Sequence, residues 1–238
     1  MLPYLNDSEI QRVLCVVAHP DDMEYGASAA VAEWRSRGIE VGYLLLTSGE
    51  AGIRGMDPRT VGPLRAEEQR RACEIVGVSD LTILDLPDGL LEADLEVRAH
   101  ITHQIRRFKP DAVLTMTWEL EVPWGLNHAD HRAAGLGVID AIRDADNPWL
   151  FRPDEAESDP GAWAVSWLLV TGTENTHAIP VSEKSLEMGI ASLNAHEVYL
   201  SALPDHVSAR ELLTGLLTNT GREAGVEYAL GVRVLPMG

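Results

Sequence analysis

Val13-Leu14-Cys15-Val16-Val17-Ala18 runs straight into His19-Pro20-Asp21-Asp22, and this junction decides how the chain is read. An unbroken apolar run rich in β-branched residues suits a strand covered on both faces, as in a parallel sheet. A polar turn follows, and Tyr25 to Arg37 then reads as an Ala-rich helix stopped by Gly38. Val41 to Leu46 repeats the strand signal. Thr47 to Gly62 reads as a loop, with Pro63 placed to open a helix over Leu64 to Val76 that Gly77 ends. The alternation goes on with a strand over Leu81 to Leu84, a loop over Asp85 to Leu91 and a helix over Glu92 to Phe108. Asp111 to Met116 reads as the fourth strand, Trp118 to Asn127 as a loop and Ala129 to Arg143 as a helix. Repeated βα units of this size predict an α/β fold: a Rossmann-like, doubly wound, mostly parallel sheet flanked by helices.

Beyond Asp144 the pattern thins. Asp146 to Gly161 is rich in Pro and acid and reads as a surface excursion. Ala164 to Val170 reads as a strand, and Ser182 to Leu203 as a helix with Ser182 at its N-cap. Residues 208 to 238 mix helix and strand signals and receive no assignment. With 238 residues the chain is expected to form one domain, with a core over 10–172 and a C-terminal elaboration over 173–238.

Charge narrows the partners. Lys and Arg number 19 against 37 Asp and Glu, a formal net charge of −18, which opposes nucleic-acid backbones and anionic membrane surfaces. No apolar run reaches the roughly 18 residues of a membrane span, so none is expected. Two cysteines, Cys15 and Cys73, make no disulfide framework and suit a reducing compartment. Met1 to Asp7 lacks a signal-peptide pattern, so the cytoplasm is the expected location. A homo-oligomer stays open.

Ligands of open α/β sheets bind beyond the carboxyl ends of the strands. The first strand ends in His19-Pro20-Asp21-Asp22, and the fourth is followed by Asn127-His128-Ala129-Asp130-His131. Both segments leave the sheet at the same edge. Two His and an Asp would supply three ligands and leave a position for water, the pattern of a catalytic zinc site. A carboxylate beside that water can act as general base.

Together these two motifs resemble the PIG-L/LmbE-like N-acetylglucosaminyl deacetylases, over about the first 140 residues. Thr47-Ser48-Gly49-Glu50, Arg65 with Glu68, and Leu86-Pro87-Asp88-Gly89 also look like family segments. The resemblance implies a metal-dependent hydrolase that removes the N-acetyl group from an N-acetylglucosamine-type amino sugar or its conjugate. It implies that His19, Asp22 and His131 bind Zn2+, with Fe2+, Co2+ or Ni2+ as alternatives. Asp21 would be the general base, and a protonated His128 would assist the oxyanion or the leaving amine. Asp130 would orient His128 or tune its pKa, and Arg65 and Asp88 would contact the sugar. Trp118 and Trp124 lie in the loop before His128, and Trp124 is expected to pack on the substrate.

The chain also departs from the family. Met23 intervenes before Glu24 where the family places Glu directly after the Asp pair, and Gly125, Leu126 and Asn127 stand where some members carry a tyrosine. Ala195-His196-Glu197-Val198-Tyr199 matches a later family segment only in part. Blander readings exist beside these. His-Pro-Asp-Asp could be a capped turn, with Asp21 or Asp22 accepting from helix N–H groups. Arg65 and Glu68 could be a surface helix pair, and Asp88 a turn residue. A metal-dependent phosphoesterase lacks its Gly-rich phosphate turn here, and a non-catalytic metal- or sugar-binding module would not need Asp21.

Overall fold

The computed structural model describes residues 1–152, 160–204 and 207–237. In chain order the elements are β1 (Arg12–Val17), α1 (Asp22–Gly26), α2 (Ser28–Ser36), β2 (Glu40–Leu45), α3 (Pro58–Val76) and β3 (Asp80–Ile83). Next come α4 (Leu95–Phe108), β4 (Ala112–Met116), β5 (Glu121–Val122), β6 (Gly125–Leu126), α5 (Ala129–Asp146) and β7 (Trp167–Thr171). β8 (His177–Pro180), α6 (Glu183–Asn194), α7 (Glu197–Ser201), α8 (Ala209–Ala224) and β9 (Ala229–Pro236) complete the chain.

Seven strands form one sheet in the order β3-β2-β1-β4-β7-β9-β8. The first five pair in parallel, while β9 runs antiparallel to both β7 and β8. Strand alternation in β1 explains why the whole run is apolar. Val13, Cys15 and Val17 enter a cluster with Trp34, Tyr43 and Leu186 on one face, and Leu14, Val16 and Ala18 join Ile101, Ile105 and Val138 on the other. The order of strands reverses between β1 and β4, so their carboxyl ends flank the switch point where such sheets bind ligands. No described helix is long and apolar enough to cross a membrane.

Several boundaries differ from the sequence reading, each for a local reason. The helix expected over Tyr25 to Arg37 is two helices, broken at Ala27 with φ −138°. Asp57 caps α3 by accepting from the Arg59 N–H, so that helix starts at Pro58 and Pro63 lies inside it. The loop Trp118 to Asn127 contains the hairpin β5–β6. Ser182 does cap a helix, its hydroxyl accepting from Ser185 N–H, but the helix stops at Asn194 and resumes as α7 after His196. The unassigned C-terminal stretch supplies α8 and β9, and β8 and β9 extend the same sheet. Part of the Asp146 to Gly161 excursion, residues 153–159, lies outside the described residues.

Candidate active site

β1 delivers its last residues into a turn that buries three polar side chains side by side. His19, Asp21 and Asp22 are all under 9% exposed. Asp21 sits in the left-handed region at φ 85°, ψ −21°, and its side chain makes no cap bond to α1. That conformation costs a non-glycine residue on the order of 1–3 kcal/mol, and it persists only where neighbours over-determine it. Here they do. Asp21 N–H donates to Gln69 Oε1 at 3.0 Å, and Arg65 Nη2 donates to Asp21 Oδ1 at 3.1 Å.

Arg65, Glu68 and Gln69 share the inward face of α3 at i, i+3 and i+4 spacing, and all are buried. Arg65 spends Nη1 on the Gly49 carbonyl and Nη2 on the Pro20 carbonyl and Asp21. Gly49 has φ 63°, and a Cβ there would run into the Arg65 guanidinium, so glycine is required twice over. Glu68 Oε1 accepts from Val198 N–H, which fastens α7 to α3. The surface-pair reading of Arg65 and Glu68 is therefore excluded. Arg65, expected to contact the sugar, has a side chain that is 3% exposed and backs Asp21.

Asp22 joins the two histidine segments. Its Oδ1 lies 3.1 Å from His131 Nε2, and its Oδ2 accepts from the His19 backbone N–H and lies 3.5 Å from His19 Nδ1. On the other side of the ring, His19 Nε2 meets Asp88 Oδ1 at 3.0 Å and Asp130 Oδ2 at 3.1 Å. The rings of His19, His128 and His131 stand with centroids 5.3 to 5.4 Å apart. The topology thus brings the turn after β1, the start of α5 and the Asp88 loop to one point.

At the start of α5 the Asp130 carboxylate accepts from Gly89 N–H at 2.6 Å and Leu91 N–H at 3.2 Å and meets the His19 ring at 3.1 Å, while its charge works to raise the His128 pKa. It fastens the Asp88 loop to the site. His128, the N-cap of α5, uses Nδ1 to accept from the Asp130 N–H at 3.2 Å. Burial and the neighbouring His19 charge lower its pKa. The lowered pKa favours the neutral ring, and the bond accepted at Nδ1 puts its proton on Nε2.

The electrostatics follow from crowding charges in a buried place. Burial opposes a charge on His19, yet Asp22 with bonds to Asp130 and Asp88 lifts its pKa to about 12. His131 is raised despite burial because Asp22 faces it, and Asp22 is lowered despite burial by the two histidines. Burial and the adjacent Asp22 outweigh Arg65 and push Asp21 up to about 7. A base poised near neutrality suits proton transfer.

Among the described residues, two groups bring metal-ligand atoms within 4.8 Å of one another: His19, Asp22, His131 and His19, His128, Asp130. In the second, both Asp130 carboxylate oxygens accept backbone N–H groups, whereas in the first only Asp22 Oδ2 does and Oδ1 faces His131. The first offers two imidazoles and a carboxylate, a donor set that fits a catalytic zinc ion.

Comparison with known proteins identifies the family and the fold. The sequence profile of the GlcNAc-PI de-N-acetylase (PIG-L) family matches residues 14–142. A relative from Thermococcus kodakarensis named diacetylchitobiose deacetylase is 31% identical over 236 residues, covering 96% of this chain and 85% of its own. The chain belongs to the PIG-L family. A second family relative, named probable N-acetyl-alpha-D-glucosaminyl L-malate deacetylase 2 from Bacillus subtilis, is 35% identical over 139 residues, covering 56% of this chain and 61% of its own. The solved structure of N,N'-diacetylchitobiose deacetylase from Pyrococcus horikoshii has the same fold, with TM-score 0.85 at 23% identity over 97% of this chain and 85% of that one.

Gln69 was not singled out by the sequence, whereas His196 and Tyr199 belong to the segment that matched the family only in part. Gln69 holds the Asp21 backbone, and its Nε2 donates to the buried Glu24 at 3.2 Å. Tyr199 lies under Arg65, the guanidinium carbon 3.9 Å from the ring centroid. His196 is fully buried, with Nε2 3.5 Å from Glu24 Oε2. The i, i+3, i+4 polar spacing on α3 was the available signal for Gln69. Trp124 is 64% exposed on the hairpin, its ring edge beside Gly172.

Proposed function

We propose that this chain is a zinc-dependent N-deacetylase that hydrolyses the acetamide of an N-acetylglucosamine-type sugar. The observation that carries the reading is Asp21, a buried carboxylate near neutral pKa held in a strained backbone beside the His19, Asp22 and His131 cluster. In this reading His19, Asp22 and His131 hold the ion. A divalent ion there supplies Lewis acidity, polarising the amide carbonyl and lowering the pKa of water.

The chain's own groups do the rest. Asp21 removes a proton from water as the water oxygen bonds to the amide carbon. His128, with its proton on Nε2, donates to the oxyanion that develops at the carbonyl. The carbon–nitrogen bond then breaks, and Asp21 returns the proton to the departing nitrogen. Acetate and a free amino sugar result. Asp88, within 3.0 Å of His19 and tied to the Ala51 N–H, stands at the site edge where sugar hydroxyls would meet it.

The relative matched along nearly the whole chain is named for a disaccharide, so N,N'-diacetylchitobiose is the substrate to try first. We place the enzyme in the cytoplasm, in keeping with its two unpaired buried cysteines. The phosphoesterase reading is weakened because Arg65 is buried and gives both Nη atoms to protein oxygens. A binding-only module leaves the strained placement of Asp21 without a purpose. Release of amine from N-acetylated mono- and disaccharides with added zinc tests the proposal. Phosphate release from sugar phosphates without amine release would replace it with the phosphoesterase.

A further inference from the structure

Asn127 stands one residue before His128 and is 5% exposed, and every polar group it owns is used. Its backbone N–H donates to the Leu120 carbonyl at 2.9 Å, closing the base of hairpin β5–β6. Its carbonyl accepts from Arg132 Nη1 at 2.6 Å. The side-chain Nδ2 reaches two backbone carbonyls, Thr117 at 2.7 Å and Glu119 at 3.0 Å. Its Oδ1 lies 3.2 Å from His131 Nδ1.

Amide orientation is often ambiguous, but here the partners decide it. The Thr117 and Glu119 carbonyls can only accept, so the amide nitrogen must face them and the amide oxygen must face His131. That oxygen can only accept as well. His131 must therefore carry a proton on Nδ1, which leaves Nε2, 3.1 Å from Asp22 Oδ1, as the nitrogen with a lone pair in the neutral ring.

We propose that Asn127 is a positioning residue that fixes the tautomer of His131 and, with the same amide, clamps the base of the β5–β6 hairpin to the metal site. The inference rests on the reading of His131 as a metal ligand. It gives the hairpin a defined role: the element carrying Trp124 is fastened to a ligand through one side chain. Partners of this kind orient a ligating imidazole and raise its basicity.

The tautomer is directly measurable. In the zinc-loaded wild-type protein, imidazole 15N shifts should show His131 Nδ1 protonated; a proton on Nε2 would overturn the inference. Two variants separate the roles. Asn127→Leu should weaken zinc binding about 10- to 100-fold in competition with a chromophoric chelator. Asn127→Asp can still accept from His131, but its second oxygen faces two carbonyls. It should keep zinc affinity within a few-fold of wild type while amide exchange in Leu120–Leu126 quickens. Wild-type zinc affinity in a folded Asn127→Leu protein, or equal zinc loss in both variants, would overturn the proposal. His131→Ala distinguishes the two levels. Retained zinc there defeats the ligand reading itself, whereas lost zinc there with normal binding in Asn127→Leu defeats only the role of Asn127.

Discussion

Arg65 Nη2 donates to Asp21 Oδ1 at 3.1 Å while the same nitrogen holds the Pro20 carbonyl at 2.6 Å. One cation thus grips both the carboxylate and the backbone that precedes it. Asp21 needs this grip because its φ of 85° is unfavourable for a side chain with a Cβ. The pair does not make Asp21 a strong acid, since burial and Asp22 still lift its pKa.

Arg65→Ala should therefore act on the base, not on sugar binding. Removing one partner of a buried pair costs about 3–5 kcal/mol, and Asp21 would also lose part of its positioning. Lower unfolding free energy and a kcat decrease exceeding any KM change are expected, with zinc content retained. Arg65→Lys should recover part of the stability, because an ammonium cannot reproduce the forked contacts. Denaturant melts and steady-state kinetics check this. An unchanged kcat with a raised KM would return Arg65 to the sugar.

Asp21→Asn should keep zinc and substrate binding but lose about 10²-fold or more in kcat, the scale of general-base removal. His19→Ala, Asp22→Ala and His131→Ala should instead lose metal, read by elemental analysis after dialysis. Full occupancy in the His19→Ala/His131→Ala double variant would defeat the ligand assignment.

The sequence made β1, β4 and their two motifs legible because a buried parallel strand is a continuous apolar run, and polar residues at its end stand out. The groups behind Asp21 were harder to see. Arg65, Glu68 and Gln69 have helical spacing, but charged residues seldom face inward, so substrate contact and a surface pair were the readings weighed for Arg65 and an inward brace was not. The break at Ala27 had a local signal in Gly26 and Ser28 on either side of it, both poorer helix formers than Ala, which the single-helix reading passed over. What accompanies it is tertiary: Glu24 is buried with Gln69 on α3. In α8, Gly215, Gly221 and three threonines weaken the helix signal that packing of Leu213 and Leu217 restores. His128 was legible as a site candidate, but its tautomer depends on the Asp130 N–H, a contact set by the turn into α5.

Metal-free protein should be most stable in mild acid. His19 and His131 hold protons more tightly folded than at their ordinary 6.5, so their contribution is complete below that pH and drains as pH rises, for His19 toward about 12. Asp21 acts in the same direction, its burial penalty growing from about 3.8 to about 7. Asp22, Asp88 and Asp130 are lowered, so what they contribute is lost only as pH falls below about 3.8. Tm in a chelator should fall from pH 6 to pH 8.5. Zinc requires neutral imidazoles, so the Tm gained on adding zinc should widen over the same range. A chelated protein whose Tm climbs with pH would contradict this charge arrangement.

Trp124 should sense what lies beyond the reacting sugar. The hairpin leaves its ring 64% exposed with one edge beside Gly172, at the end of β7 and therefore on the site's edge of the sheet. An aromatic face packs on the apolar side of a pyranose, and contacts of this kind contribute about 0.5–1.5 kcal/mol, up to roughly tenfold in affinity. Trp124→Ala should accordingly raise KM for N,N'-diacetylchitobiose several-fold and leave N-acetylglucosamine little changed. Trp149, 76% exposed just past the far end of α5, is the control. About 27 Å of helix separates it from His128, so Trp149→Ala should alter neither substrate. Equal KM changes for both sugars in Trp124→Ala would place the ring against the reacting sugar instead. No change for either would remove the hairpin from substrate recognition.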